Sequence, residues 1–200
     1  DPYIASSALT SNGYWNSYTI PVLYLDAGDP ASYPGTGTVW TDLVGGKQFN
    51  LINGPGYDPA NGGKFYFFAP GGQYAECSTS LPSLPELTAP QGSVAQGGYF
   101  NGGFQTSPQF GLTANTWHNI VITCDSSQVV RIYVNNVLLS TTSTTGAQPS
   151  SSNAGIRLMR RWDFAENWGG YLSTVGIYDK ALDSGQISSI YNSTKSRYGL

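Results

Sequence analysis

The chain has 200 residues, one domain's worth, with only 10% charged residues, 14% aromatics, 25 Gly and 12 Pro. A globular protein typically carries about 25% charged residues, so this composition points to β-structure with long polar loops; by association, it also suits extracellular proteins and virion surfaces. The formal net charge of −3, with nine scattered basic residues, excludes a phosphate-tracking nucleic-acid binder. No stretch approaches the roughly 18 apolar residues of a transmembrane helix, so membrane insertion is not expected.

The chain opens on Asp1 without an initiator Met, which reads as a processed terminus. Asp1 to Ile20 is rich in Ser, Asn and Tyr and reads as an arm or linker, and the domain then spans Pro21 to Leu200. Val22 to Asp26 is a short apolar strand, followed by loops at Gly28-Asp29-Pro30 and Pro34-Gly35. Trp40 to Leu43 leads into a Gly45-Gly46 turn, and Phe49 to Ile52 is a strand ended by Asn53-Gly54-Pro55-Gly56. Lys64 to Phe68 and Gln73 to Thr79 are two further strands. Leu81 to Pro90 holds three prolines, which remove ladder donors and argue against a central strand. Gly97-Gly98 and Gly102-Gly103 bracket Tyr99, Phe100 and Phe104, a second aromatic patch.

The clearest signal runs from Asn119 to Ser140. Apolar residues alternate through Ile120, Ile122 and Cys124, and again through Val130, Ile132 and Val134. Asn135-Asn136 stands where a two-residue hairpin turn needs positive φ. The pattern predicts a three-stranded antiparallel meander. Thr141 to Asn153 is a low-complexity loop, and Gly155 to Met159 and Tyr171 to Tyr178 are the last strands. Asp183 and Gln186 have capping-box spacing before Ile187, Ile190, Tyr191 and Thr194, which predicts one short C-terminal helix stopped at Gly199. Many short strands with Gly/Pro turns and a single helix define an all-β sandwich.

The order of Val22-Leu23-Tyr24-Leu25-Asp26-Ala27, Trp40-Thr41-Asp42-Leu43, Thr116-Trp117-His118-Asn119-Ile120-Val121, Arg131-Ile132-Tyr133-Val134-Asn135-Asn136 and Gly176-Ile177-Tyr178-Asp179-Lys180-Ala181-Leu182 resembles a laminin G-like jelly roll. That family sits in the concanavalin A-like lectin/glucanase superfamily. The resemblance implies an antiparallel two-sheet jelly-roll sandwich over Pro21 to Leu200. The tail Tyr191 to Leu200, with Arg160-Arg161-Trp162-Asp163 upstream, looks like copies found in virion proteins such as phage tail and fibre proteins and giant-virus proteins. One departure stands out: the family's Trp-bearing strand after Gln73 to Cys77 is replaced here by the proline-broken Leu81 to Pro90.

The glucanase branch needs two carboxylates across a sugar bond. Glu76, Glu86 and Glu166 are the only glutamates, and none has the Glu-x-Asp-x-x-Glu spacing of that branch, so no enzyme is expected. His118, the single histidine, has no nucleophile-elbow motif and reads as structural. Gly45-Gly46-Lys47 lacks the remaining residues of a phosphate loop. Cys77 and Cys124 fit either a disulfide or two free thiols.

Recognition is the function left. Arg160, Arg161, Trp162, Asp163, Asn167 and Trp168 place aromatic faces beside hydrogen-bonding side chains in one loop, the combination a sugar ring needs. Asp163, Glu166 and Asn167 supply oxygens for a candidate calcium ion, as do Asp58 and Asn61. The expectation is a non-catalytic module for a glycan or cell-surface receptor on a virion or extracellular surface. The alternative is a structural decoration, fibre or lattice subunit that binds its own copies or other virion proteins.

Overall fold

A computed structural model of the chain describes residues 20–77, 95–101, 112–113, 115–127, 129–143, 156–160 and 168–200. The arm over 1–19 and the proline-rich Leu81 to Pro90 lie outside the described residues. Among the described residues twelve strands follow in order: β1 (Leu23–Asp26), β2 (Val39–Thr41), β3 (Gln48–Ile52), β4 (Gly56–Asp58), β5 (Lys64–Phe67), β6 (Tyr74–Cys77), β7 (Ala95–Asn101), β8 (His118–Cys124), β9 (Val129–Val134), β10 (Val137–Ser143), β11 (Ile156–Leu158) and β12 (Gly170–Tyr178). The helix α1 (Ser184–Thr194) comes after them.

Among the described residues, eight strands form one sheet in the order β10-β9-β8-β7-β12-β5-β4, with β1 also beside β12. Four form the other, in the order β11-β6-β3-β2. Each pairing is antiparallel. This is the expected jelly-roll sandwich with one short C-terminal helix.

The core forms where alternation turns one face of each strand inward. Leu23 and Leu25 on β1, Phe65 and Phe67 on β5, and Leu172 and Ile177 on β12 meet Trp40, Phe49, Leu51 and Ala75 from the smaller sheet. Phe65 is the hub: its ring lies 4.7 Å from Tyr33 and 4.8 Å from Trp40. Truncating such a buried Phe costs about 3–5 kcal/mol.

The opposite face of the larger sheet carries Tyr24, Val121, Tyr133 and Tyr178, which α1 covers with Ile187. The predicted capping box is complete. Asp183 Oδ1 accepts the Gln186 backbone N–H at 2.8 Å, and Gln186 Oε1 accepts the Asp183 N–H at 3.0 Å. The predicted meander is β8-β9-β10, and Asn135 and Asn136 have φ of 49° and 67° in its tight turn.

Strand β12 organises the larger sheet. One edge pairs with β7, while the other pairs first with β5 and then with β1, which therefore lie end to end. Their junction is Ser173. Ala27 donates its N–H to the Ser173 carbonyl at 2.9 Å, and the Ser173 hydroxyl donates to the Gly63 carbonyl at 2.6 Å. Gly63 has φ of 82°, and a Cβ there would stand 2.6 Å from the Ala27 oxygen, so only glycine fits.

Three strands were not foreseen: β2, where the sequence reads only as a lead into the Gly45-Gly46 turn, β4 and β7. β4 is only three residues long. β7 holds the centre of the sheet, between β8 and β12, although its sequence reads as glycine punctuation. Gly97 pairs with Gly176 on one side and Val121 on the other. The meander's third strand also runs on to Ser143, into the stretch expected to be loop. Cys77 and Cys124 are free thiols on different sheets, so of the two alternatives the disulfide is not present.

Candidate ligand-binding rim

The loop expected to bind ligand begins where β11 ends. Met159 is buried in the core with φ of 67°, which turns the chain outward. Trp168 donates its backbone N–H to the Met159 carbonyl at 2.9 Å, closing the neck of the loop before β12 begins. Arg160 and Trp168 therefore sit on one rim of the sandwich. Arg161, Trp162, Asp163, Glu166 and Asn167 lie outside the described residues, as do the side chains of the second aromatic patch, Tyr99, Phe100 and Phe104.

Two neighbouring turns brace this rim. The Arg160 guanidinium carbon lies 4.9 Å from the ring centroid of buried Tyr74, a cation–π contact that anchors it. Asn53 donates its side-chain amide to the carbonyls of Gly71 and Gly72 at 3.3 and 3.0 Å. Gln73 donates to the carbonyls of Asn53 and Gly54 at 3.1 and 3.0 Å, and its Oε1 accepts the Phe68 N–H at 2.7 Å. Two polar side chains thus lock three backbone segments together.

The aromatic rings follow from the strand register. Gly170 pairs with Phe67, so Trp168 and Phe68 flank the same end of the β5–β12 ladder. Trp168 is 43% exposed, Phe68 49% and Tyr66 41%. Among the aromatics whose side chains are described no other is as open, so these exposed rings lie along one ladder. Tyr66 packs against Tyr171 across that ladder with ring centroids 5.0 Å apart.

The carboxylates of the described residues are mostly committed to structure. Glu76 pairs with Arg157 across β6 and β11 at 2.7 Å. Asp42 accepts the backbone N–H groups of Tyr24, Val44 and Gly45, building the turn that contains Gly45-Gly46-Lys47. Asp125 holds Arg131 at 2.7 Å, and that hydrogen bond lowers the Asp125 pKa. Asp58 pairs with Lys64 at 2.7 Å and accepts the Ala60 N–H at 2.8 Å. The Lys64 hydrogen bond lowers its pKa, so the carboxylate stays ionised and engaged with Lys64. Among the described residues no group of three His, Cys, Asp or Glu is placed to hold a metal. His118 is buried, and its Nε2 lies 3.1 Å from both the N–H and the carbonyl of Thr113, the structural role expected of it.

Residues 56–188 match the model of the concanavalin A-like lectin/glucanases superfamily. The chain belongs to that superfamily. The matched stretch runs from β4 into α1 and contains the whole exposed aromatic cluster.

Solved structures share the fold at low identity. Trypanosoma rangeli sialidase in complex with sialic acid aligns at a TM-score of 0.61 and 12% identity, over 98% of this chain and 38% of that one. Domain 4 of AbnA, a GH43 extracellular arabinanase from Geobacillus stearothermophilus in complex with arabinotriose, aligns at 0.61 and 11%, over 86% and 98%. The botulinum neurotoxin serotype D binding domain aligns at 0.58 and 12%, over 86% and 51%. The chain thus spans well under half of the sialidase but almost all of the arabinanase domain. Among curated proteins, none matches the chain by sequence.

Proposed function

We propose that this superfamily member is a non-catalytic recognition module that binds a glycan through the Arg160–Trp168 rim, on a virion or extracellular surface. The observation that carries the reading is that the exposed rings Tyr66 and Phe68 on β5 and just after it, and Trp168 just before β12, all lie along the short β5–β12 ladder. Leaving three large rings half open along one short ladder costs hydrophobic burial, and clusters of exposed aromatics mark interaction sites. Rings of this kind stack against sugar C–H faces, while Arg160 and its loop neighbours Arg161, Asp163 and Asn167 would bond hydroxyls. Trp162, next in the loop, would add a second stacking face. The arabinanase domain, which the chain covers almost completely, was solved with arabinotriose, so a glycan is a reasonable ligand for a domain of this size and shape.

The non-catalytic part rests on the acids. Hydrolysis of a glycoside bond needs two free carboxylates facing one cleft. Among the described residues Asp26, Asp42, Asp58, Glu76 and Asp125 instead serve ion pairs and backbone amides.

A glycan array read with and without calcium tests the reading, alongside an assay for released reducing sugar. We expect selective glycan binding without hydrolysis. Binding that survives chelator assigns the interaction to the aromatic rim alone, and binding that needs calcium brings in Asp163, Glu166 and Asn167. An array with no bound glycan in either condition contradicts the proposal.

A further inference from the structure

The turn over 68–73 carries the chain from β5 in the larger sheet to β6 in the smaller one, and it bears the exposed Phe68 ring. Both backbone groups of Phe68 are held. Its N–H donates to Gln73 Oε1 at 2.7 Å, and its carbonyl accepts the Gly71 N–H at 3.0 Å. The Gln73 side chain also reaches the turn after β3, where Nε2 donates to the Asn53 and Gly54 carbonyls at 3.1 and 3.0 Å. Asn53 returns two bonds, to the carbonyls of Gly71 and Gly72. The Phe68 ring lies close over this bridge: a Cβ at Gly71 would stand 3.3 Å from Phe68 Cδ1 and 3.6 Å from Gln73 Cγ. Arg160 borders it too, since a Cβ at Gly72 would stand 3.5 Å from Asn53 Nδ2 and 4.0 Å from Arg160 Nη1.

We propose that Gln73 is the positioning residue of this rim: it sets glycan affinity by fixing the Phe68 ring, without contacting the sugar. This role rests on the glycan-binding reading of the rim. A hydrogen bond exposed to water adds little net stability, because water bonds the same groups in the unfolded chain. Five side-chain bonds between two exposed turns therefore do more for geometry than for stability. Phe68 is 49% exposed, so packing supports only part of its ring. A ring on a loose turn loses conformational freedom when a sugar stacks on it, whereas a ring fixed beforehand has less to lose. Gln73 supplies that fixing. Its amide is engaged through both nitrogen and oxygen, so it acts through Phe68.

A double-mutant cycle tests this, by calorimetric titration of the full chain with the oligosaccharide that gives the strongest array signal. Gln73→Ala should weaken binding about fivefold or more, with an unchanged number of sites. In a Phe68→Ala background the same substitution should change affinity less than about twofold. By NMR order parameter, the Phe68 backbone amide should be rigid in the wild type and more mobile in Gln73→Ala. If Gln73→Ala fails to fold, Asn53→Gly takes its place in the cycle, since glycine keeps the φ of 59° and removes the opposite amide. Full affinity in Gln73→Ala, with Phe68→Ala weakened, overturns this role alone. So does a loss of binding sites at constant affinity, or an equal loss of affinity with and without the Phe68 ring. A wild-type chain that binds no array glycan, or a Phe68→Ala chain that binds as well as wild type, overturns the rim reading and this role with it.

Discussion

Arg197 and Asp26, 171 residues apart in sequence, meet as a two-pronged ion pair: Nη1 donates to Oδ2 at 2.7 Å and Nη2 to Oδ1 at 2.6 Å. The Asp26 side chain is buried, at 5% exposure, and the Arg197 side chain is partly buried, at 14%. Arg197 also donates to the Gly62 carbonyl and, at 3.3 Å, to the Ser173 hydroxyl. Tyr198 donates to that same hydroxyl at 2.9 Å. The turn after α1 thus clamps the point where β1 and β5 abut along β12. Burial alone would lower the Arg197 pKa, but the Asp26 hydrogen bonds outweigh it and leave it above its ordinary value.

Arg197→Ala should therefore destabilise the fold by about 3–5 kcal/mol, because it strands the Asp26 carboxylate without its partner. Arg197→Lys should rescue little of this, since an ammonium keeps the charge but loses the fork. Urea melts should show a lower midpoint with an unchanged slope. A destabilisation below about 1 kcal/mol would mean the clamp is solvated rather than structural.

Alkaline pH should loosen the same region. Burial pushes the Tyr198 hydroxyl up to about 12, with the Arg197 charge pulling the other way. Burial likewise raises Tyr24 and Tyr178. A group raised in the folded state favours its protonated form there. Its contribution is full below the unfolded tyrosine value of about 10 and is lost as pH rises toward about 12. The melting temperature should fall over that interval. Tyr198→Phe, after an initial loss of about 1 kcal/mol for its hydrogen bond, should fall less steeply. Parallel curves for the two proteins would show that Tyr198 is not the titrating group.

Elements governed by local rules were legible in the sequence. The meander could be read because Val130, Ile132 and Val134 alternate, and its turn because Asn135-Asn136 tolerates positive φ. The helix could be read because Asp183 and Gln186 carry the capping-box spacing. β7 was hidden because Gly97-Gly98 resembles a turn, and only its neighbours on both sides make it a strand. The Arg197–Asp26 clamp was invisible because no local pattern links residues so far apart.

The site divides in the same way. Arg160 and Trp168 were legible because they share one loop. Tyr74, Phe68 and Tyr66 were not, because only strand pairing and the Gln73 and Asn53 bridges bring them to that loop. An exposed aromatic and a buried one look alike in sequence, so exposure had to come from the fold.

The most direct measurement is calorimetric titration of an array-identified glycan into the wild-type chain, Trp168→Ala and Phe68→Ala. Trp168 and Phe68 are about half exposed, so both variants should melt close to wild type. The account predicts at least a tenfold loss of affinity for each, about 1.4 kcal/mol. Wild-type affinity in both variants would contradict it and place the ligand elsewhere on the sandwich.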